Sequence, residues 1–136
     1  MEIRRFDLDA QGLARVVGEL EARILEVVWA RGTVTVREVT EALGPSSHHK
    51  TIMTIMNRMV EKGLLNRQAL GQGRTFTYNA ASDRETFMSQ VVSRVIAGLM
   101  TDFGQPTMAH FVEGIGSEQL AELEALIQRK REANDE

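Results

Sequence analysis

The sequence contains no cysteine, which excludes disulfide bonds and thiolate metal sites. No stretch approaches the roughly 18–20 apolar residues that would span a bilayer. The first ten residues alternate charged and apolar side chains and lack the apolar core of a signal peptide. We therefore expect a cytoplasmic protein that is not inserted in a membrane and has neither a cofactor nor a bound metal.

The motifs of common enzymes are absent as well. There is no HExxH, no GxSxG, no GxxxxGK[ST] and no GxGxxG after a strand. Gly71-Gln72-Gly73 is too short to cradle a phosphate, and the carboxylates between residues 113 and 124 are typical of a solvated helix surface. The sequence therefore predicts a protein that is not an enzyme.

Charge is unevenly distributed along the 136 residues, whose net charge is −3. Residues 15–80 hold nine Lys/Arg and six Asp/Glu, which gives +3, whereas residues 81–136 hold five and ten, which gives −5. A basic first half and an acidic second half suit a DNA-binding head joined to an assembly module.

Hydrophobic spacing predicts a succession of helices in the first half, over residues 19–31, 35–43 and about 48–62. Thr35 and Glu38 have the spacing of a capping box, and Ser47 is expected to cap the third helix. Residues 33–35 are all β-branched and could form a small strand.

Two short strands are expected next, over residues 65–70 and 74–79, joined by a glycine-rich turn. Helix, small strand, two helices and a hairpin is the order of a winged helix-turn-helix. We therefore predict a mainly α chain with a small β hairpin, in which residues 15–80 form a winged helix-turn-helix DNA-binding domain.

The second half, residues 81–136, is predicted to form a helical dimerisation domain. Ser82 and Glu85 suggest a capping box that opens a long helix to about residue 101, followed by a short helix over 107–113 and a last one capped by Ser117. One side of these helices is apolar and needs a partner. The residues expected in a homodimer contact are Phe87, Val91, Val92, Val95, Ile96, Leu99, Phe111, Leu120, Leu123 and Ile127.

The third helix has the features of a DNA-reading helix. Its apolar residues recur on one side as a buried stripe: Ile52, Ile55, Met56, Met59 and Val60. Cationic side chains suit phosphates, and hydroxyl and amide groups suit base edges in the major groove. With Arg74 of the wing, the expected contacts to double-stranded operator DNA are His49, Lys50, Thr51, Met53, Thr54, Asn57 and Arg58.

Two other functions remain open at this stage. The same fold could serve as a module that binds another protein. His48, His49 and His110 could also form a metal-responsive sensor, since imidazole is a good zinc ligand.

The chain resembles the BlaI/MecI penicillinase-repressor family of bacterial transcriptional regulators. The similarity is carried by the segments 18–29, 34–39, 74–78, 82–85 and 110–113, and most specifically by residues 50–63, KTIMTIMNRMVEKG. It implies a homodimeric repressor of dyad-symmetric operators, such as those of β-lactamase genes. It also implies that Lys50, Thr51, Met53, Thr54 and Arg58 contact DNA.

The sequence departs from the family pattern at three points. Met53 stands where some members carry arginine, and the cysteine cluster of the copper-responsive members is absent. In antibiotic-responsive members a membrane sensor protease cuts an Asn-Phe bond, and the aligned bond here is His110-Phe111. The resemblance thus implies a sensor-protease partner and a cleavage bond whose first residue differs.

Overall fold

The computed structural model describes residues 1–135. The first helix, α1, spans Glu19–Arg31 and confirms the predicted bounds. Gly32 follows with φ of +87°, a conformation that favours glycine and ends the helix. Within the described residues, no helix combines the length and hydropathy that a membrane span requires.

Two further helices of the head follow: α2, Val36–Leu43, and α3, His49–Glu61. The predicted capping box is present, because Thr35 Oγ1 accepts from the Glu38 backbone N–H at 3.2 Å and Glu38 accepts from the Thr35 N–H at 3.3 Å. The prediction that Ser47 caps α3 is wrong. Its hydroxyl donates instead to the Thr40 and Gly44 carbonyls, at 2.9 and 2.6 Å. Ser47 therefore closes the turn between the two helices.

The wing is an antiparallel hairpin of β1, Leu65–Ala69, and β2, Phe76–Ala80. Tyr78 in β2 also pairs with Val34, whose backbone exchanges hydrogen bonds of 2.9 and 2.7 Å with it. The predicted small strand is thus a single bridge. These elements form a winged helix-turn-helix, as the sequence predicts.

The core of the head lies between α1, α2, α3 and the hairpin. Its most completely buried side chains are Ile24, Leu25, Val28, Val34, Val39, Ile52, Met56, Met59, Leu65 and Tyr78. Two members of the predicted stripe on α3, Ile55 and Val60, are only half-buried. The stripe is therefore narrower than predicted, and Ile52, Met56 and Met59 carry it.

Helix α4, Arg84–Gly114, begins as part of the head. Asp83 caps it in place of the predicted Ser82, because Asp83 Oδ1 accepts from the Thr86 N–H at 2.7 Å. That hydrogen bond stabilises the carboxylate and lowers the pKa of Asp83. Ser82 instead offers its carbonyl to the Trp29 indole N–H, at 2.9 Å.

Phe87 and Val91 were predicted to lie in a dimer contact, but the structure places them elsewhere. Both are buried in the head, with 2% and 3% of their surface exposed. Phe87 lies against the ring of Trp29, with a centroid distance of 5.6 Å. The chain divides into compact units between Ser93 and Arg94, inside α4, whereas the sequence places the boundary after Ala80.

The second unit, from Arg94 onward, contains the rest of α4 and α5, Ser117–Asn134. The predicted break after residue 101 is a kink: Phe103 is non-helical, with φ of −136° and ψ of 39°. Pro106 explains it, because proline lacks an N–H and its ring collides with the carbonyl four residues earlier. Gly116, rather than Ser117, is the N-cap of α5, and its N–H donates to Gln119 Oε1 at 3.2 Å.

Candidate DNA-binding interface

The outer face of α3 is fixed by the burial of its inner face. Ile52, Met56 and Met59 are fully buried, so side chains a third to half a turn away must face solvent. Six of the seven α3 residues predicted to contact DNA are exposed: His49, Lys50, Thr51, Met53, Thr54 and Arg58. The structure brings these six to one exposed side of the head.

The cations on this face are available to an anion. Within residues 1–135, Lys50 and Arg58 make no ion pair with a carboxylate. The Thr54 hydroxyl donates to the Lys50 carbonyl at 3.0 Å, which leaves its oxygen able to accept and its methyl group exposed. The face therefore offers charge for phosphates and small groups for base edges.

Asn57, the seventh predicted residue, is only half-exposed, and its role differs from the prediction. Its Oδ1 accepts from the Tyr78 hydroxyl at 2.8 Å and from the Arg67 guanidinium at 3.0 Å. Bidentate recognition of adenine needs the amide oxygen and nitrogen of an asparagine together. Because the oxygen is already engaged inside the head, Asn57 is not placed to read a base.

Tyr78 and Arg67, the two donors to Asn57, are themselves constrained. Tyr78 is 2% exposed, and burial raises the pKa of its hydroxyl more than the neighbouring Arg67 lowers it. The guanidinium of Arg67 also lies over the Phe76 ring, 4.5 Å from its centroid. Arg67 is thus held by two contacts and is less available to DNA than its charge suggests.

The tip of the wing carries the remaining predicted contact, Arg74. The turn is closed by the Leu70 N–H, which donates to the Thr75 carbonyl at 2.9 Å, and Gly71 has a φ of +67° that favours glycine. Arg74 is exposed and makes no ion pair with any described residue. It is therefore the cation that the wing offers to solvent.

The three histidines belong to different units of the chain. His48 and His49 are exposed at the start of α3, whereas His110 lies in the second unit, 3.5 Å from Glu113. Over residues 1–135, no three His, Asp or Glu side chains approach closely enough to hold a metal ion.

A groove of about 980 Å³ runs between the N-terminal segment and the end of α3, with Arg58 in its wall. The Glu2 N–H donates to the Lys62 carbonyl at 2.9 Å and so fixes that segment. The charges of the lining are balanced: Arg4, Arg5, Arg15, Arg58 and Lys62 against Glu2, Asp7, Glu19, Glu21 and Glu61. The groove therefore has no excess positive charge for a phosphate.

The helices of the second unit expose large apolar side chains, led by Phe103 at 60% and Leu126 at 54%. Of the predicted dimer contacts in this unit, Val95 and Leu123 are half-buried. The others are exposed: Ile96, Leu99, Phe111, Leu120 and Ile127. Val92, at the end of the first unit, is exposed as well.

Sequence reasoning missed the contacts that fix the wing and the start of α4. The indole N–H of Trp29 and the hydroxyl of Tyr78 were signals that could have been used, because such groups take a partner when they are buried. The identity of those partners, Ser82 and Asn57, depends on the fold.

Comparison with known proteins gives a family. A sequence model of the penicillinase repressor family matches residues 17–129. The penicillinase repressor of Bacillus licheniformis is 28% identical over 74 residues, which are 53% of this chain and 56% of that protein. The alignment therefore spans little more than half of the relative's length.

Two solved structures that resemble the chain contain a repressor domain and a protein bound to DNA. The DNA-binding domain of the repressor BlaI is 30% identical, with 50% of this chain and 83% of that one covered and a TM-score of 0.43. FabT of Streptococcus pneumoniae, solved in complex with DNA, is 18% identical, with 91% and 80% covered and a TM-score of 0.44.

The family model decides the assignment, because it covers most of the chain, including both the head and the C-terminal helices. The family's description is that of a repressor and not of an enzyme. The resemblance seen in the sequence is thereby confirmed, and the chain belongs to the penicillinase repressor family.

Proposed function

We propose that the chain is a transcriptional repressor that binds double-stranded operator DNA as a homodimer. One observation carries the proposal: α3 presents two cations and two threonines on a single exposed face, and neither cation is in an ion pair with any residue of 1–135, in a chain of the penicillinase repressor family. An α-helix fits the major groove of B-DNA, where phosphate contacts set its position and base edges supply sequence.

The DNA contacts divide by chemistry. Lys50, Arg58 and Arg74 bind phosphates, because a cation attracts them whatever the base sequence. Thr51 and Thr54 contact base edges, through a hydroxyl or through the methyl group against thymine. Met53, 38% exposed, offers an apolar contact to the same groove. His49, at the start of α3, contacts the phosphate backbone of the DNA.

A second copy of the chain covers the apolar surface of the second unit. Ile96, Leu99, Phe111, Leu120 and Ile127 are exposed along helices that bury few side chains of their own. Closed twofold pairing is the commonest way to remove such a surface from water. Two joined heads then bind two half-sites, which explains a dyad-symmetric operator.

The experiment that tests this function is selection of bound sequences from a random duplex library with the purified full chain. We expect recovery of a dyad-symmetric site with half-sites about one helical turn, 10–10.5 base pairs, apart, or a multiple of it. Binding should weaken steeply as salt rises. Failure to enrich any sequence, together with salt-insensitive or absent DNA binding, would leave the protein-binding function in its place.

Release from DNA follows from cutting the second unit. His110 and Phe111 are exposed near the end of α4, four and three residues before its last residue, Gly114. A protease must unwind this helix locally to reach the bond, which the nearby helix end makes less costly. We propose that a sensor protease cuts here and that the cut lowers the affinity of the two protomers for each other.

A further inference from the structure

Asn57 joins three elements of the head through one oxygen atom. Its Oδ1 receives a hydrogen bond from Tyr78 in β2, at 2.8 Å, and another from Arg67 in β1, at 3.0 Å. Arg67 and Tyr78 lie directly opposite each other in the hairpin register, so their side chains share a face. Helix α3 therefore contacts both strands of the wing at one pair of facing residues.

This contact matters because the outer part of the wing is exposed: of β1, only Leu65 is buried. A two-stranded hairpin is marginally stable on its own. Beyond the last pair, Ala69 with Phe76, the Leu70–Thr75 hydrogen bond closes the turn that carries Arg74. Tyr78 also pairs with Val34 through its backbone, which fixes the position of β2 at the base of the wing.

The charge distribution supports the same division of roles. Arg67 is held between Asn57 and the Phe76 ring, whereas Arg74 has no partner among the described residues. Arg67 therefore helps to hold the wing in place, whereas Arg74 is available to bind an anion.

We infer that Asn57 is a positioning residue, whose clasp on Tyr78 and Arg67 sets the angle between the wing and α3 so that Arg74 and Lys50 reach one DNA duplex together. The inference rests on the proposed DNA binding and specifies how the wing takes part in it. Asn57 acts through the wing and does not itself read a base.

The test is whether the loss of DNA affinity caused by Arg74→Ala depends on the hydrogen bonds that Asn57 accepts from Tyr78 and Arg67. We would measure the affinity of the full chain for a fluorescent duplex of random sequence over a series of salt concentrations. Arg74→Ala and Lys50→Ala would each be made in the natural sequence and in three variant backgrounds. Tyr78→Phe removes only the hydroxyl. Asn57→Ala removes the acceptor, and Asn57→Asp, which keeps an acceptor oxygen, is the conservative control.

In the natural sequence we expect Arg74→Ala to weaken binding several-fold and to reduce the salt slope by about one unit. In the Tyr78→Phe and Asn57→Ala backgrounds the same substitution should change affinity less than about twofold, because residues that act together are not additive. In Asn57→Asp the effect of Arg74→Ala should return. Lys50→Ala should cause an equal loss in every background.

Melting curves separate positioning from simple support. An equal effect of Arg74→Ala in all backgrounds, even with a lower melting temperature for Asn57→Ala, would overturn the inference. So would an Arg74→Ala variant that binds like the natural protein while Lys50→Ala is weakened, although the proposed DNA binding would then stand. Absence of salt-dependent binding by the natural protein would instead contradict the proposed function itself.

Discussion

The two units of the chain differ in how they bury their apolar residues. The unit up to Ser93 has a closed core in which Ile24, Ile52 and Met56 are completely buried. From Arg94 onward none of the described side chains is buried, and α5 has no buried residue over its whole length. The first unit encloses a core of its own, whereas the second leaves its large apolar side chains exposed.

The difference assigns separate tasks to the two units. A rigid head is needed to hold α3 and the wing in register with DNA, because a contact misplaced by a small distance is lost. In the proposed function, the exposed helical surface of the second unit associates with that of a second copy and so links two heads. Substitutions in the two units should therefore fail in different ways, and this can be checked from the largest expected effect to the smallest.

The largest effect is expected from charging the surface of the second unit. The double substitution Ile96→Glu and Leu126→Glu should separate the dimer and lower operator affinity by about 10²–10⁴-fold, because the second half-site contact is no longer intramolecular. Gln105→Glu with Gln128→Glu adds the same charge at exposed polar positions of the same helices and should retain most of the affinity. Titration of operator DNA measures both; equal losses would break the distinction between the units.

The next effect is expected in the core of the head. Ile52→Ala should lower the free energy of unfolding by about 2–5 kcal/mol, because it leaves a cavity under α3. Met53→Ala, next to it on the exposed side, should change it by less than about 0.5 kcal/mol. Urea unfolding of the full chain compares the two. A similar loss for both would mean that α3 is rotated from the position described.

A smaller effect is expected from the threonines of the reading face. Thr51→Ala or Thr54→Ala should cost about 1–3 kcal/mol of binding to the selected operator and much less on unrelated duplexes. Competition between the two DNAs measures this difference. Equal weakening on both would show that the hydroxyls bind phosphate and that the sequence is read elsewhere.

The smallest effect is expected from the phosphate contacts taken singly. Lys50→Ala or Arg58→Ala should weaken binding to all sequences alike and reduce the slope of log affinity against log salt by about one unit. Arg129→Ala in α5 removes a cation of the acidic second half and should leave the slope unchanged. A slope that shifts for Arg129 and not for the α3 residues would move the DNA surface out of the head.

The sequence was sufficient for features that depend on spacing along one helix. The bounds of α1 and the capping box of α2 follow from periodic apolar residues and a local Thr35–Glu38 pair, and both agree with the structure. Local reasoning chose the wrong cap at α3 and α4, because several polar residues adjoin each helix start and only the backbone angle selects among them. Asp83, for example, takes the place predicted for Ser82.

Features that depend on which surface covers an apolar face could not be predicted from the sequence. Phe87 and Val91 belong to the same apolar run as Ile96, yet the first two are buried by the head and the third is exposed. Periodicity shows that a face is apolar but not which surface meets it. Asn57 likewise meets residues 10 and 21 positions away, so its role required the folded hairpin.

Sedimentation equilibrium of the full chain at micromolar concentration, with operator affinity measured on the same sample, tests the central claim most directly. The account predicts a dimer that dissociates for the Ile96→Glu, Leu126→Glu variant while the melting of its head persists. A monomeric natural chain that still binds its operator tightly would contradict it.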